Sequence, residues 1–196
     1  MGAELTEAIN SMYTYYRKAR ICYVYLSEIT DAGALADARW WTRGWTLQEL
    51  LAPTHAVFYM LDWQYIGARA AMADAISSIT GIQRQYLVHR ADEVAQTMDE
   101  TSSIAGMQRP HLKDSAREVV KTASIAKRMS WAAKRKTSRS EDMPHSLLGL
   151  FSVNMPLLYG GGGQRAFLRL QEEIMKSQIA WREGSLEVFE LRQDDE

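Results

Sequence analysis

Leu5, Ile9, Met12 and Tyr16 recur at helical spacing, which predicts an amphipathic helix over residues 4 to 19 with one apolar stripe, suited to covering a sheet. After Arg20 the pattern changes. Ile21-Cys22-Tyr23-Val24-Tyr25-Leu26 is a β-prone run without polar alternation, as expected of a strand buried on both faces of a parallel sheet, so two flanking layers are implied. A small, polar loop from Thr30 to Asp37 leads into Ala38 to Tyr59, which reads ARWWTRGWTLQELLAPTHAVFY. There the pattern predicts a short helix over Trp45 to Leu51, a stop at Ala52-Pro53, and a second strand over Ala56 to Met60. Strand, helix and strand make a right-handed crossover unit, so residues 21 to 26 and 56 to 60 are expected to be adjacent parallel strands with the helix packed across them.

Ile66, Ala70, Ala73, Ile76 and Ile79 form the stripe of another expected helix, with Gly81 placed to end it in a left-handed conformation. Periodicity then fades from Gln83 to Asp114. A weak helical turn near Val94 and a polar break from Thr101 to Pro110 mark the best candidate boundary. Val119, Ala123, Ala126, Met129 and Ala133 predict a helix of about five turns that ends on Lys134, Arg135 and Lys136, as the helix dipole favours. A short apolar helix over Ser146 to Phe151, a turn at Asn154-Met155-Pro156, a flexible stop at Gly160 to Gly163 and a helix over Gln164 to Lys176 complete the series. The tail beyond Gly184 is polar and acidic and is expected to fray.

At 196 residues the chain suits one domain with a real core. Its 23 basic and 24 acidic side chains nearly cancel, so no global field points to nucleic acid or an anionic membrane. The single cysteine, Cys22, excludes an internal disulfide framework and a cysteine-based zinc site, and suits a reducing cytosol. No apolar run approaches the roughly 20 residues that span a bilayer, and residues 1 to 9 lack the layout of a signal peptide, so the expected location is cytoplasmic. Ten methionines and six tryptophans suggest an adaptable core or a surface that expects a partner.

Candidate chemistry centres on Glu49, a lone carboxylate inside an apolar helical turn, with Trp40, Trp41 and Trp45 as the lining of a cleft around it. Thr46-Leu47-Gln48-Glu49 also fits a capping box, in which Thr46 accepts from the third helical amide and Glu49 reaches back to the amide of Thr46. Trp40 and Trp41, about 100 degrees apart on a helix, do not easily bury in one face. The four histidines are scattered, with no ligand pair at helical spacing, so no metal is expected. The four-glycine run precedes a helix as in phosphate-binding loops but lacks Gly-Lys-Ser/Thr, so it is read as a connector. Arg135 or Arg139 is expected to pair with Glu141 or Asp142 and fix the turn after the long helix.

Four stretches together resemble the heterokaryon incompatibility (HET) domain of filamentous fungi. They are INSMYTYYRKARICYVYLSEI from Ile9, RGWTLQELLAP from Arg43, SSITGI from Ser77, and SWAAKRKTSRSEDMPHSLLGLFSVNMPLLYGGGGQRAFLRLQEEI from Ser130. The family usually has Glu-Asp-x-Ala-Tyr where this chain has Glu141-Asp142-Met143-Pro144-His145, and Gly-Glu-Gly where it has Gly160 to Gly163. Set against the family pattern, the chain starts inside the domain, without the upstream strand and its Asp- and Cys-rich stretch. That would leave strand edges exposed unless helices cover them.

HET domains are similar to TIR domains, and Trp45-Thr46-Leu47-Gln48-Glu49-Leu50 has the spacing of the TIR segment whose glutamate is required for cleaving NAD. The resemblance implies an α/β fold: a partial TIR-like, flavodoxin-like parallel sheet with flanking helices, followed by a mainly helical carboxyl-terminal region. Residues 1–100 would be the truncated α/β part, 101–184 its helical continuation, and 185–196 the frayed tail. It further implies a cytoplasmic module of nonself recognition and programmed cell death, akin to innate immunity, acting through other protein modules or self-association, with no nucleic acid, membrane span or metal. The alternatives are an NAD glycohydrolase using Glu49, with NAD as substrate, and a gene fragment without function. A carboxylate at that position could stabilise the oxocarbenium-like ribosyl centre left as nicotinamide departs.

Overall fold

The computed structural model describes residues 2–88 and 115–190. It opens with α1 (Gly2–Lys18), which leads into β1 (Cys22–Leu26). After two 3₁₀ turns and α2 (Thr46–Leu51), β2 (Ala56–Met60) lies beside β1. The two strands are parallel, in register from Cys22 opposite Ala56 to Leu26 opposite Met60, and the crossover contains α2 as the pattern predicts.

The sheet then departs from the all-parallel expectation. Residues read as the start of a helical stripe form β3 (Tyr65–Ala68), antiparallel to β2, so the sheet is mixed with order β1-β2-β3. Ile66 therefore sits in a strand, and the helix α3 begins at Ala73 (Ala73–Thr80), ending at Gly81 with φ +71. The cause is a tight hairpin. Asp62 and Trp63 take successive φ of 58 and 57, and the Met60 amide donates to the Gln64 carbonyl. Two non-glycine residues in the left-handed region are unfavourable locally, so tertiary pairing decides the turn against propensity.

β1 also differs from its expected double burial. Val24 and Leu26 are buried, whereas Tyr23 is 60% and Tyr25 38% exposed. Tyrosine conceals the alternation because it is apolar enough to belong to a hydrophobic run and polar enough to face water. The core therefore lies on one side of the sheet, where Phe58 meets Trp40 and Trp41.

The expected five-turn helix is two shorter ones, α4 (Ser115–Thr122) and α5 (Ile125–Ser130). Ser124 divides them by capping α5, its hydroxyl accepting from the Lys127 amide at 3.2 Å. α6 (Asp142–His145) and α7 (Leu148–Phe151) follow, and α8 (Gly162–Glu190) extends the last predicted helix past Gly184 into the expected tail. The polar break at 101 to 110, the turn near Val94 and residues 191–196 lie outside the described residues. α1 crosses α7 at Gly149, where any Cβ would collide with the Tyr13 side chain. One continuous core cluster joins Val24, Leu26, Leu47 and Phe58 to Leu147, Leu148 and Leu170.

Arg135 does not pair with the acidic residues nearby. It is buried, donating from Nη1 to the Arg43 carbonyl at 2.9 Å and to the Thr46 hydroxyl at 2.7 Å. Beside it the chain makes a two-bond bridge, Gly44 amide to Lys136 carbonyl and Lys136 amide to Thr42 carbonyl. Arg139 lies over the Tyr159 ring at 5.1 Å, and Asp142 accepts from the Tyr159 hydroxyl. Glu141 accepts from the amides of Gly160 and Gly162 at 3.1 and 3.2 Å. The glycine run is thus wrapped around an internal carboxylate at the start of α8, a favourable place for negative charge. Arg135→Ala removes a buried donor shared by the Arg43 carbonyl and the Thr46 hydroxyl, leaving that hydroxyl one proton for two carbonyls, and is expected to cost about 2–4 kcal/mol in urea denaturation. Arg139→Ala at the surface should cost less than about 1 kcal/mol. Equal losses would contradict the role given to the buried guanidinium.

Candidate functional site

Glu49 lies in the first turn of α2, a helix too short to stand alone and held by Leu47, Leu50 and Leu51, which are buried beneath it. The capping box does not form. The residue before the helix is Trp45, in helical conformation, and makes no side-chain cap. The Thr46 hydroxyl instead sits within 2.6 Å of the Trp40 carbonyl and 2.8 Å of the Arg43 carbonyl while accepting from Arg135. That leaves the Glu49 carboxylate for other donors: the Trp40 indole, 3.3 Å from Oε2, and the Tyr16 hydroxyl from α1.

Burial raises the pKa of Glu49, against the lowering effect of those two donors and of Arg43 and Arg135. Its neighbours respond in the same sense. Burial, reinforced by Glu49, pushes the Tyr16 hydroxyl up to about 12 and the Cys22 thiol up to about 11, so Cys22 is no nucleophile at neutral pH. Cys22 is the first residue of β1. Glu49 is therefore within electrostatic reach of the amino end of that strand, whereas open α/β sheets gather ligands at the carboxyl ends.

Trp40 and Trp41 are both buried, contrary to the expectation from helical spacing. They occupy a 3₁₀ turn (Arg39–Thr42) and meet edge to face at 4.9 Å, each 5.6 Å from Phe58. The Trp41 indole donates to the Leu35 carbonyl at 2.7 Å. Trp45 is half-buried against the same core. Of the three tryptophans, Trp40 donates to Glu49, and the pair it forms with Trp41 closes over Phe58 as core.

A carboxyl group with a raised pKa could serve as a general acid, but only with substrate within reach. A depression of about 170 Å³ lies elsewhere, lined by Asn10, Tyr13, Thr14, Arg17 and Ser152 among others, with neither Glu49 nor a tryptophan in its wall. That volume is below the roughly 300 Å³ at which small-molecule sites begin. Among the described residues no three His, Cys, Asp or Glu side chains come together to hold a metal, and no helix is long and apolar enough to cross a membrane.

The conspicuous surface feature escaped the sequence reading. On the open face of the sheet Tyr25 stacks on Trp63 at 4.7 Å, Tyr59 lies 5.8 Å from Trp63, and Tyr23 and Tyr65 flank Tyr59 at 6.0 and 5.8 Å. Trp63 is 62% and Tyr65 57% exposed. The available signal was tyrosine at alternate positions in Cys22 to Leu26, matched by Tyr59 two residues after Val57.

Comparison with known proteins gives one match of note. The chain is 36% identical over 186 residues to the vegetative incompatibility protein HET-E-1 of Podospora anserina, and the match covers 89% of this chain but 12% of that protein. No family model and no solved structure matches the chain.

Glu49→Gln keeps an oxygen to accept from Trp40 and Tyr16 and removes the burden of a buried charge. Because the folded pKa is raised, the folded state holds more protons than the unfolded one between the ordinary carboxylate range and the raised value. Wild-type stability therefore falls as pH rises through that window, and Glu49→Gln should melt higher at pH 8 yet converge with wild type near pH 4. A lower melting temperature at both pH values would contradict this assignment.

Proposed function

The chain belongs to the fungal heterokaryon incompatibility (HET-type) proteins, and from that premise we propose that it is a nonself-recognition module that signals cell death through protein association. The observation that carries the reading is the aromatic face of the sheet. Tyr23, Tyr25, Tyr59, Trp63 and Tyr65 form one contiguous group of rings, four of them well exposed. Single exposed aromatics are ordinary on a protein surface, but a contiguous group is characteristic of interfaces. Backbone strain supports the same reading. Trp63 holds a left-handed φ of 57, which glycine would adopt without penalty, and it thereby brings its indole over Tyr25.

Cleavage of NAD by Glu49 is the weaker reading for this chain. It needs an opening above the carboxylate, and Trp40 and Tyr16 donate hydrogen bonds into that space. The match extends over 12% of HET-E-1, so an activity of the longer protein could draw on residues outside this stretch.

Trp63→Gly tests the association reading because it removes the indole and suits the backbone at once. Thermal stability should stay within about 1 kcal/mol of wild type or improve. Cell death on expression in a fungal host should be lost, and nicotinamide release from NAD should be absent from wild type and Glu49→Gln alike. Full killing by Trp63→Gly would overturn the role of the aromatic face. Nicotinamide release that disappears in Glu49→Gln would restore the enzymatic reading.

A further inference from the structure

We propose that His145 is an acid-sensitive latch: protonation of its ring releases α8 from α6 and uncovers the buried apolar stripe of Ala166, Leu170 and Ile174. The inference goes beyond the association reading and does not depend on it. His145 closes α6 and has no exposed surface. A neutral imidazole carries one donor and one acceptor, yet among the described residues neither ring nitrogen of His145 has a hydrogen-bond partner. Buried polar groups are ordinarily paired, so an imidazole left unpaired at a helix contact calls for a reason.

Carboxylates hold the contact that this ring occupies. α6 packs on α8, and the chain leading into α6 comes so near that a Cβ on Gly163 would meet the Ser140 carbonyl oxygen at 2.9 Å. Glu141 Oε1 accepts from the Gly160 and Gly162 amides, and its Oε2 accepts from the Ser140 hydroxyl at 3.1 Å. That hydroxyl in turn accepts from the Gly163 amide at 3.1 Å. Asp142 Oδ1 accepts from the Tyr159 hydroxyl at 2.9 Å, and the Tyr159 ring meets His145 edge to face at 5.7 Å. Both carboxylates beside His145 are thus engaged with the residues that start α8.

An imidazolium has two donors to satisfy and a charge to place. The titratable and charged groups around the ring are Glu141 and Asp142 on its own side, Tyr159 ahead of α8 and Arg169 on α8. The carboxylates attract a positive ring whereas Arg169 repels it. Protonation therefore draws the anions away from the start of α8 and pushes α8 outward. Burial, aided by Arg169, holds His145 below the ordinary imidazole range against the pull of the two carboxylates. The closed contact binds fewer protons than the open one between that lowered value and about 6.5. It is fully stable above that range and weakens as pH falls through it.

Hydrogen exchange of the full chain at pH 7.5 and 5.5, corrected for the intrinsic pH dependence of amide exchange, tests the latch. Opening of residues 162–178 should increase by up to about tenfold at the lower pH, the limit for uptake of one proton, while β1 and β2 stay unchanged. His145→Phe keeps a flat ring and removes both unpaired nitrogens, so it should abolish the acid response with protection at pH 7.5 intact. Arg169→Gln removes the repelling charge and should shrink the ratio between the two pH values. Glu49, whose titration acts in the opposite sense, is common to wild type and His145→Phe and cancels in their comparison. Titration of the His145 ε1 proton by NMR should give a midpoint below the ordinary range, a measurement on wild type that needs no variant to fold. Unchanged exchange in α8, acceleration spread equally over the sheet, a midpoint at or above about 6.5, or a response that survives in His145→Phe overturns the latch.

Discussion

A single buried guanidinium joins the two halves of this molecule. Arg135 sits 6% exposed, with burial pulling its pKa down to about 10, so it stays charged in a place where an unpaired charge would cost several kcal/mol. Among the described residues no carboxylate forms an ion pair with it. Its partners are the Arg43 carbonyl and the Thr46 hydroxyl, on the segment that also supplies Trp40, Trp41 and Glu49. Within that segment the Thr46 hydroxyl has one proton for the Trp40 and Arg43 carbonyls, and the arginine supplies a further donor. The bridge between Gly44 and Lys136 and the bond from the Gln48 amide nitrogen to the Ser146 carbonyl extend the seam. Residues far apart in sequence thus share one core.

The environment of Glu49 follows from that seam. Because Arg135 and two carbonyls occupy Thr46, no capping box forms, and the carboxylate faces the indole of Trp40 and the phenol of Tyr16. Its charge is tolerated through donors and through Arg43 and Arg135 nearby, with burial still the larger influence. A similar substitution occurs at the start of α8. There Glu141 fills the glycine amides that an anionic ligand would otherwise use. In both places a side chain of the protein itself occupies the position where sequence motifs suggest a ligand.

Among the described residues the sheet is sealed on one side only. Phe58, Trp40 and Trp41 lock its inner face, while the outer face presents tyrosines and Trp63 to solvent. Among the described residues, the rings of Tyr23, Tyr25, Tyr59, Trp63 and Tyr65 lie together on that outer face.

Sequence alone determined the parallel pair β1 and β2 with α2 between them, because apolar runs of strand length and a proline stop leave few alternatives. It also carried the family likeness, which rests on residues and needs no coordinates. The antiparallel β3 was beyond its reach, since Ile66, Ala70 and Ala73 satisfy a helical period and only pairing with β2 draws Ile66 into a strand. The division of the long helix at Ser124 was a local cap obscured by alanines that fit the period on either side. The destination of Arg135 depended on which unsatisfied carbonyl lay within reach, a matter of chain path 92 residues away. Likewise, which tyrosines face water depends on there being one covering layer instead of two, and a pattern of side chains along a strand does not encode how many layers the rest of the chain will supply.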